Sequence, residues 1–160
     1  ITPAPVTPAP VSGESYDLTL DVSQVEPAFL DGFLAAKARW EQVLVGDLPD
    51  INRGNAIAPD DTDCDLNQMP QIIDDVFMCT STVENDGEGG ILASAGVEFI
   101  RAFPGIPGEN LPLIGSMEFD VADAQNLLDE GDFASVVLHE MGHLVRATTQ
   151  YCKLISYSFR

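Results

Sequence analysis

The most constraining feature of the sequence is an apolar stretch at residues 136–145, VVLHEMGHLV, which contains the motif HEMGH at residues 139–143. Its valines, leucines and methionine supply the apolar surface of a buried helix. Positions four apart on an α-helix lie on one face, so His139 and His143 can bind the same metal ion. Two imidazoles on one helical face suit Zn²⁺. The stretch therefore predicts a buried helix that presents a zinc site.

Glu140 lies between the two histidines and is not a metal ligand in this arrangement. It can instead reach a metal-bound water and act as a general base. The competing interpretations are a chance motif, two structural histidines, or a site that has lost its metal. Both histidines of the chain fall within the motif, and Asp132 just before it is a candidate helix N-cap, which favours the zinc site.

Composition and charge narrow the class of protein. A chain of 160 residues, 45% of them hydrophobic, is long enough for one globular domain with a core. Its 26 acidic and 7 basic residues give a formal net charge of −19, which argues against nucleic acid or an anionic membrane surface as a partner. No apolar run of about 18 residues occurs, so we expect no transmembrane helix. An acid-rich soluble surface from a saline or extracellular setting is the preferred interpretation.

The three cysteines point to an oxidising compartment. Cys64 and Cys79 flank a loop that leads into a predicted strand, and a disulfide between them is expected outside the cytosol. Cys152 is left over, either free or without its original partner. None of the three belongs to a C-x-x-C pair, so we do not assign them to a metal. The chain begins with Ile rather than Met, which predicts a fragment or a mature form, and we expect an extracellular location.

The chain divides into three parts. Residues 1–13 repeat TPAPV almost twice and predict an extended linker, with a ligand for a proline-recognition module as the alternative. We expect the folded domain at residues 14–145 and a divergent tail at residues 146–160. Within the domain, apolar patterns predict strands at 16–22, 71–83, 91–100 and 113–119, and helices at 27–45, 120–130 (capped by Asp120) and around the motif. This order predicts an α+β domain, with a small twisted mixed sheet beside two long helices.

An acidic loop follows the first predicted helix. Asp61, Asp63 and Asp65 alternate as the oxygen ligands of a calcium loop do, but Leu66 and Ile72 stand where an EF-hand needs Gly and Glu. A weak, irregular Ca²⁺ site is one interpretation of these three carboxylates. A solvated acidic loop is the preferred one.

Three segments in series resemble the leishmanolysin-type, zincin-like metallopeptidase domains of bacteria and algae. They are GGILASAG at residues 89–96, LPLIGSMEFDVADAQNL at 111–127 and VVLHEMGH at 136–143. The resemblance covers roughly residues 16–144. It implies the zincin N-terminal subdomain, a secreted or cell-surface zinc endopeptidase that acts on peptide or protein substrates, with His139 and His143 as zinc ligands and Glu140 as catalytic base.

The resemblance also implies an edge strand beside the motif helix that pairs with the substrate backbone. Residues 91–96 are the candidate, with Leu92, Ala93 and Ser94 as substrate-binding residues. The small side chains there would let a peptide approach closely. Simple packing of small residues is the alternative.

The match departs from the family after the motif. A catalytic zinc has three protein ligands plus water, and the chain offers two histidines. Arg146 stands where the family pattern has Gly, and the tail after it contains Tyr151 and Cys152 but no His or acidic residue. The first hypothesis is therefore a zinc endopeptidase. The second is an inactive or incomplete peptidase-like binding domain without a third zinc ligand. The oligomeric state stays open.

Overall fold

The computed structural model describes residues 15–44, 46–54 and 57–145. The linker expected at residues 1–13, the tail expected at residues 146–160 and Cys152 lie outside the described residues. The elements in chain order are β1 (Leu18–Gln24), α1 (Leu30–Val43), β2 (Ile51–Asn52), a 3₁₀ turn (Pro59–Asp61), β3 (Ile72–Ile73), β4 (Val76–Val83), β5 (Ala93–Ile100), β6 (Pro112–Asp120), α2 (Val121–Glu130) and α3 (Phe133–Val145).

A four-stranded mixed sheet is the centre of the fold, with the strand order β1-β4-β6-β5. Strands β1, β4 and β6 are parallel neighbours, and β5 runs antiparallel to β6 at the edge. Helix α1 forms the crossover between β1 and β4 that a parallel pair requires. The predicted α+β class with a mixed sheet is confirmed, and the described part of the chain contains three helices where three were predicted. No helix among those residues is long and apolar enough to cross a membrane.

The main core lies between the helices and one face of the sheet. The alternation predicted for β1 is confirmed, because Leu18 is fully buried there and Leu20 and Val22 pack beside it. Four phenylalanine rings form its centre, with ring centroids 5.2–5.6 Å apart. They come from Phe29, Phe33, Phe119 and Phe133. The aromatic cluster thus joins α1, β6 and α3 in one packed layer.

A smaller core covers part of the opposite face of the sheet. Ile57, Met69 and Ile73 from the long connection after α1 pack there against Phe77 and Ile114 of the sheet. A disulfide joins Cys64 of this connection to Cys79 of β4, the pair expected from the sequence. The connection is therefore tied covalently to the sheet that it covers.

The strands predicted at residues 16–22 and 91–100 are observed at Leu18–Gln24 and Ala93–Ile100, and two further elements differ more. The helix expected at residues 27–45 begins only at Leu30, because residues 27–29 form a turn. The strand expected at residues 71–83 is broken at Asp74 and Asp75. Here the buried guanidinium of Arg101 donates to the carbonyl oxygens of both aspartates, which therefore do not continue a ladder.

Gly32 gives a test of the core packing, because a Cβ atom built there would lie 2.5 Å from Cδ1 of the buried Phe133 ring. Replacing a helical Gly by Ala ordinarily stabilises by about 1 kcal/mol, whereas overpacking costs about 1–3 kcal/mol. We expect Gly32→Ala to lower the free energy of unfolding, measured by urea denaturation. The loss should shrink in a Phe133→Leu background, and a stabilised Gly32→Ala protein would contradict this packing.

Candidate metal site on the third helix

Helix α3 divides into an apolar face and a polar face. Phe133, Val137, Met141 and Leu144 recur at helical spacing and are all buried. His139 and His143 are exposed on another side of the helix, and Glu140 is half-buried. Because burial of the apolar face fixes the rotation of the helix, it also fixes the side from which the two histidines project.

The two imidazoles converge. The Nε2 atoms of His139 and His143 lie 3.1 Å apart, and a carboxylate oxygen of Glu140 falls within 4.8 Å of the ligand atoms of both histidines. Two imidazoles on a tetrahedral zinc, with Zn–N bonds of about 2.0–2.1 Å, place their nitrogens about 3.3 Å apart. The separation in this chain is thus close to that of a zinc-bound pair, and the donor set suits zinc.

Helix α1 holds α3 in place through Trp40. The indole Nε1–H donates to the carbonyl oxygen of Leu138 at 3.0 Å. A Cβ atom on Gly142 would lie 3.2 Å from the Trp40 ring, so the glycine of the HEMGH motif allows α1 to approach closely. These contacts fall at the residue before His139 and the residue before His143. They therefore fix the helix within the metal-binding turn itself.

The sheet holds α3 from another side. A Cβ atom on Gly115 of β6 would lie 2.9 Å from Leu144, so the helix lies close to the strand at this glycine. Ala93, Ala95 and Val97 of β5 also pack into the core under α3. Strand β5 is thus the edge strand beside the candidate metal helix, as the sequence suggested.

The predicted substrate-binding residues do not share one environment. Leu92 precedes β5, and its carbonyl oxygen accepts from the N–H of Asp120 at 3.0 Å. The side chain of Ala93 faces the core. Ser94 faces the opposite side of the sheet, where it lines a separate cavity. Only the strand backbone, not these three side chains together, is available to a peptide at this edge.

Asp120 and Asp123 position the segment before β5. Asp120 caps α2 as predicted, with Oδ1 accepting from the N–H groups of Ala122 and Asp123, and its Oδ2 accepts from Asn85 and Gly87. Burial raises the pKa of Asp120, but these backbone donors outweigh it and hold the pKa below its usual value. Oδ1 of Asp123 accepts from Gly89 at 2.8 Å. The two aspartates therefore tie the glycine-rich turn to α2.

The acidic residues of the expected calcium loop do not converge. Asp61, Asp63 and Asp65 are all exposed. None of them belongs to a cluster of side chains in the described residues that could bind a metal ion. The Asp61 carboxylate accepts instead from the N–H of Ala58, and the Asp65 carboxylate accepts from Asn67. Their oxygens are used to shape the loop.

A different carboxylate cluster was missed by the sequence analysis. Ligand oxygens of Asp47, Asp74 and Asp75 lie within 4.8 Å of one another. Burial, with added repulsion from neighbouring carboxylates, raises the pKa of Asp74 to about 6. Burial also raises the pKa of Asp75 to about 6, against the lowering effect of N–H donors from Asp17 and Leu48. The adjacent pair Asp74-Asp75 inside an apolar run is the sequence signal that could have indicated a buried carboxylate cluster. Asp47 is too distant in the chain for the sequence to group it with this pair.

A third zinc ligand is not present among the described residues. The grouping of ligand atoms at this site contains His139, Glu140 and His143 and no further His, Cys, Asp or Glu from residues 15–44, 46–54 or 57–145. Arg146, Tyr151 and Cys152, considered above, lie outside those residues. The described chain thus supplies two candidate ligands and a neighbouring carboxylate.

Comparisons of the chain with protein-family models, with curated proteins and with solved structures gave no match.

The Trp40 hydrogen bond can be tested by conservative replacement. Trp40→Phe keeps an aromatic ring on α1 but removes the donor to Leu138 and the indole atoms Cζ2 and Cη2 nearest Gly142. We expect the free energy of unfolding to fall by about 1 kcal/mol, measured by circular dichroism during urea unfolding. An unchanged stability would show that the indole N–H does not anchor α3.

The raised pKa values of Asp74 and Asp75 predict a pH-dependent stability. The folded protein favours the protonated carboxyl groups, because their pKa of about 6 in the fold lies above the value of 3.8 in the unfolded chain. Protonation of these groups therefore stabilises the fold below pH 3.8, and this contribution is lost as the pH rises through about 6. We expect Asp74→Asn to be more stable than the parent at pH 7, with the difference shrinking towards pH 4, in thermal unfolding. Glu88→Gln removes the same charge from an exposed turn and should lack this pH dependence.

Proposed function

We propose that this protein is a zinc-dependent endopeptidase of the zincin kind. The observation that carries the proposal is the 3.1 Å separation of the His139 and His143 Nε2 atoms on an anchored helix, with Glu140 beside them. The three sequence segments that resemble leishmanolysin-type domains point to the same activity. An edge strand beside the motif helix is also what the N-terminal subdomain of a zincin requires.

In this proposal each residue of the motif has a separate task. His139 and His143 hold the zinc through their Nε2 atoms. When bound, zinc would lower the pKa of a water molecule to about 7 and polarise the scissile carbonyl. Glu140, not needed as a ligand, accepts the proton of the attacking water and returns it to the leaving amine nitrogen. Trp40 and the apolar face of α3 keep these three side chains in register.

The substrate is a peptide that lies along β5. Within the described residues β5 pairs only with β6, so its outer edge offers backbone N–H and C=O groups to an added strand. The hydrogen bonds of Asp120 and Asp123 hold the turn before this strand, so the edge is already formed before a peptide arrives. An extracellular site of action forms part of the proposal, and the Cys64–Cys79 disulfide supports it.

A second candidate is a peptidase-like binding domain without catalysis. It is favoured by one observation, the absence of a third ligand among the described residues. Such a domain would keep the helix and the edge strand but bind zinc weakly. It would recognise peptides without cleaving them.

Zinc binding separates the two candidates. We expect one equivalent of Zn²⁺ per chain, and His143→Ala should weaken the affinity by more than about 100-fold, since loss of an outer partner alone costs roughly 10–100-fold. Binding of Co²⁺ can be followed by tryptophan fluorescence, because Trp40 is the only tryptophan of the chain. Its ring lies next to Gly142, which is between the two histidines in the sequence, so a bound Co²⁺ would be close to it. Co²⁺ should quench the Trp40 emission in the parent and not in His143→Ala.

Peptide cleavage tests the role of Glu140. Glu140→Gln should retain zinc but lower the cleavage rate by about 10²–10⁴-fold, as expected for loss of a general base. Glu130→Gln, the same change at an exposed site of α2, is the matched control and should leave the rate unaltered. Weak zinc binding by the parent, without cleavage at saturating zinc, would reject the peptidase and favour the binding domain.

A further inference from the structure

The sheet face that points away from the helices carries an open polar surface. Strand pairing places Gln24, Ser81, Glu118 and Ser94 in one row across all four strands. Because directly paired residues project to the same side of a sheet, these four polar side chains form a continuous strip. The strip crosses the sheet at right angles to the strands.

A second row lies beside the first. It runs from Asp21 through Cys79 and Ser116 to Gly96. A Cβ atom added to Gly96 would meet nothing within 4 Å, so the space beside this glycine is open. Apart from Gly96, the residues of the two rows form the floor of a concave space of about 640 Å³, which we call the polar basin. This volume falls within the range of about 300–1,000 Å³ that ligand sites occupy.

The acidic loop forms one wall of the basin. Asp63 and Asp65 line it on either side of Cys64, which is bonded to Cys79 of the floor. Glu98 of β5 accepts from the Thr62 hydroxyl and from the N–H of Asp63. The wall is thus held to the floor by a covalent bond and by hydrogen bonds, so the basin is a preformed feature.

The basin has a single sign of charge. Its lining contains the carboxylates of Asp21, Asp63, Asp65 and Glu118 and, among the described residues, no lysine or arginine. Carboxylates that line a concave surface reinforce each other's field and attract cations to it. Charge complementarity therefore calls for a positively charged occupant.

The floor also has spare hydrogen-bonding capacity. In the described part of the chain, the side chains of Ser81, Ser94, Ser116 and Glu118 make no hydrogen bond to another protein group. Serine hydroxyls can accept from ammonium or guanidinium groups and can donate to a peptide carbonyl. The floor can therefore bind both the side chains and the backbone of a peptide.

The parallel strand directions indicate that the sheet face with the basin is normally covered by another segment or molecule. Strands β1, β4 and β6 are parallel neighbours, and parallel sheets are ordinarily covered on both faces. The small core around Phe77 and Ile114 covers one end of this face, and the basin is the end that it leaves open.

We propose that the polar basin binds an extended peptide segment rich in lysine and arginine. This site is separate from the candidate metal site, because Ala93 and Ala95 of β5 face the helices, whereas Ser94 lines the basin on the opposite side of the strand. The proposal therefore goes beyond the proposed peptidase activity and does not depend on zinc.

The test uses the full chain, without zinc, and acetyl-tetralysine amide as the probe at 150 mM salt. In ¹⁵N NMR titrations we expect saturable shifts confined to the amides around Ser81, Ser94 and Ser116. Glu118→Gln should weaken binding roughly two- to fivefold, as for one partly exposed ion pair. Gly96→Leu fills open space without changing the charge and should weaken binding by about tenfold, since the added side chain occupies the space that the peptide needs.

Glu130→Gln is the matched control, because it removes one charge from α2, on the helical side of the sheet. It should leave the affinity within about twofold of the parent, as expected for a distant exposed charge. Shifts spread over the acidic surface, equal effects of Glu118→Gln and Glu130→Gln, or unaltered binding by folded Gly96→Leu would each overturn the proposal. They would show attraction to the net charge of −19 rather than a site.

Discussion

The contact between Trp40 and α3 is the interaction on which the candidate site depends. The indole N–H bonds to the Leu138 carbonyl, and the ring lies against Gly142, where no side chain intervenes. Leu144 makes a similar close approach to Gly115 of the sheet. Held from both sides, α3 cannot rotate without breaking its core contacts. The backbone positions from which the two histidines project are therefore fixed by the packing of α3.

Strand β5 links the two surfaces for which we propose binding. Its inward side chains support α3, its outer edge has no strand partner among the described residues, and its other face forms part of the polar basin. The aspartates at the start of α2 hold the turn before this strand. The segment that resembles the family pattern around Asp120 and Asp123 thus has a structural explanation, since its two carboxylates satisfy backbone donors that would otherwise be unpaired.

Much of the local structure could be predicted because it depends on neighbouring residues. Apolar alternation located β1, the Asp120 carboxylate located the start of α2, and the apolar spacing of residues 136–145 located α3. One failure shows why long-range contacts escape such patterns. The break at Asp74 and Asp75 is produced by the guanidinium of Arg101, which is 26 residues away from Asp75, and no local pattern contains that contact.

The sequence by itself determined the helix, the spacing of its histidines and the strand periodicities, since each follows from the 3.6- or 2-residue repeat of a regular backbone. Only the tertiary structure decided which carboxylates meet. It left Asp61, Asp63 and Asp65 apart, grouped Asp47 with Asp74 and Asp75, and gathered the serines and carboxylates of the basin from separate strands and a loop. The physical reason is that charged and polar side chains carry no periodic signal, so their neighbours are set by chain topology and strand register.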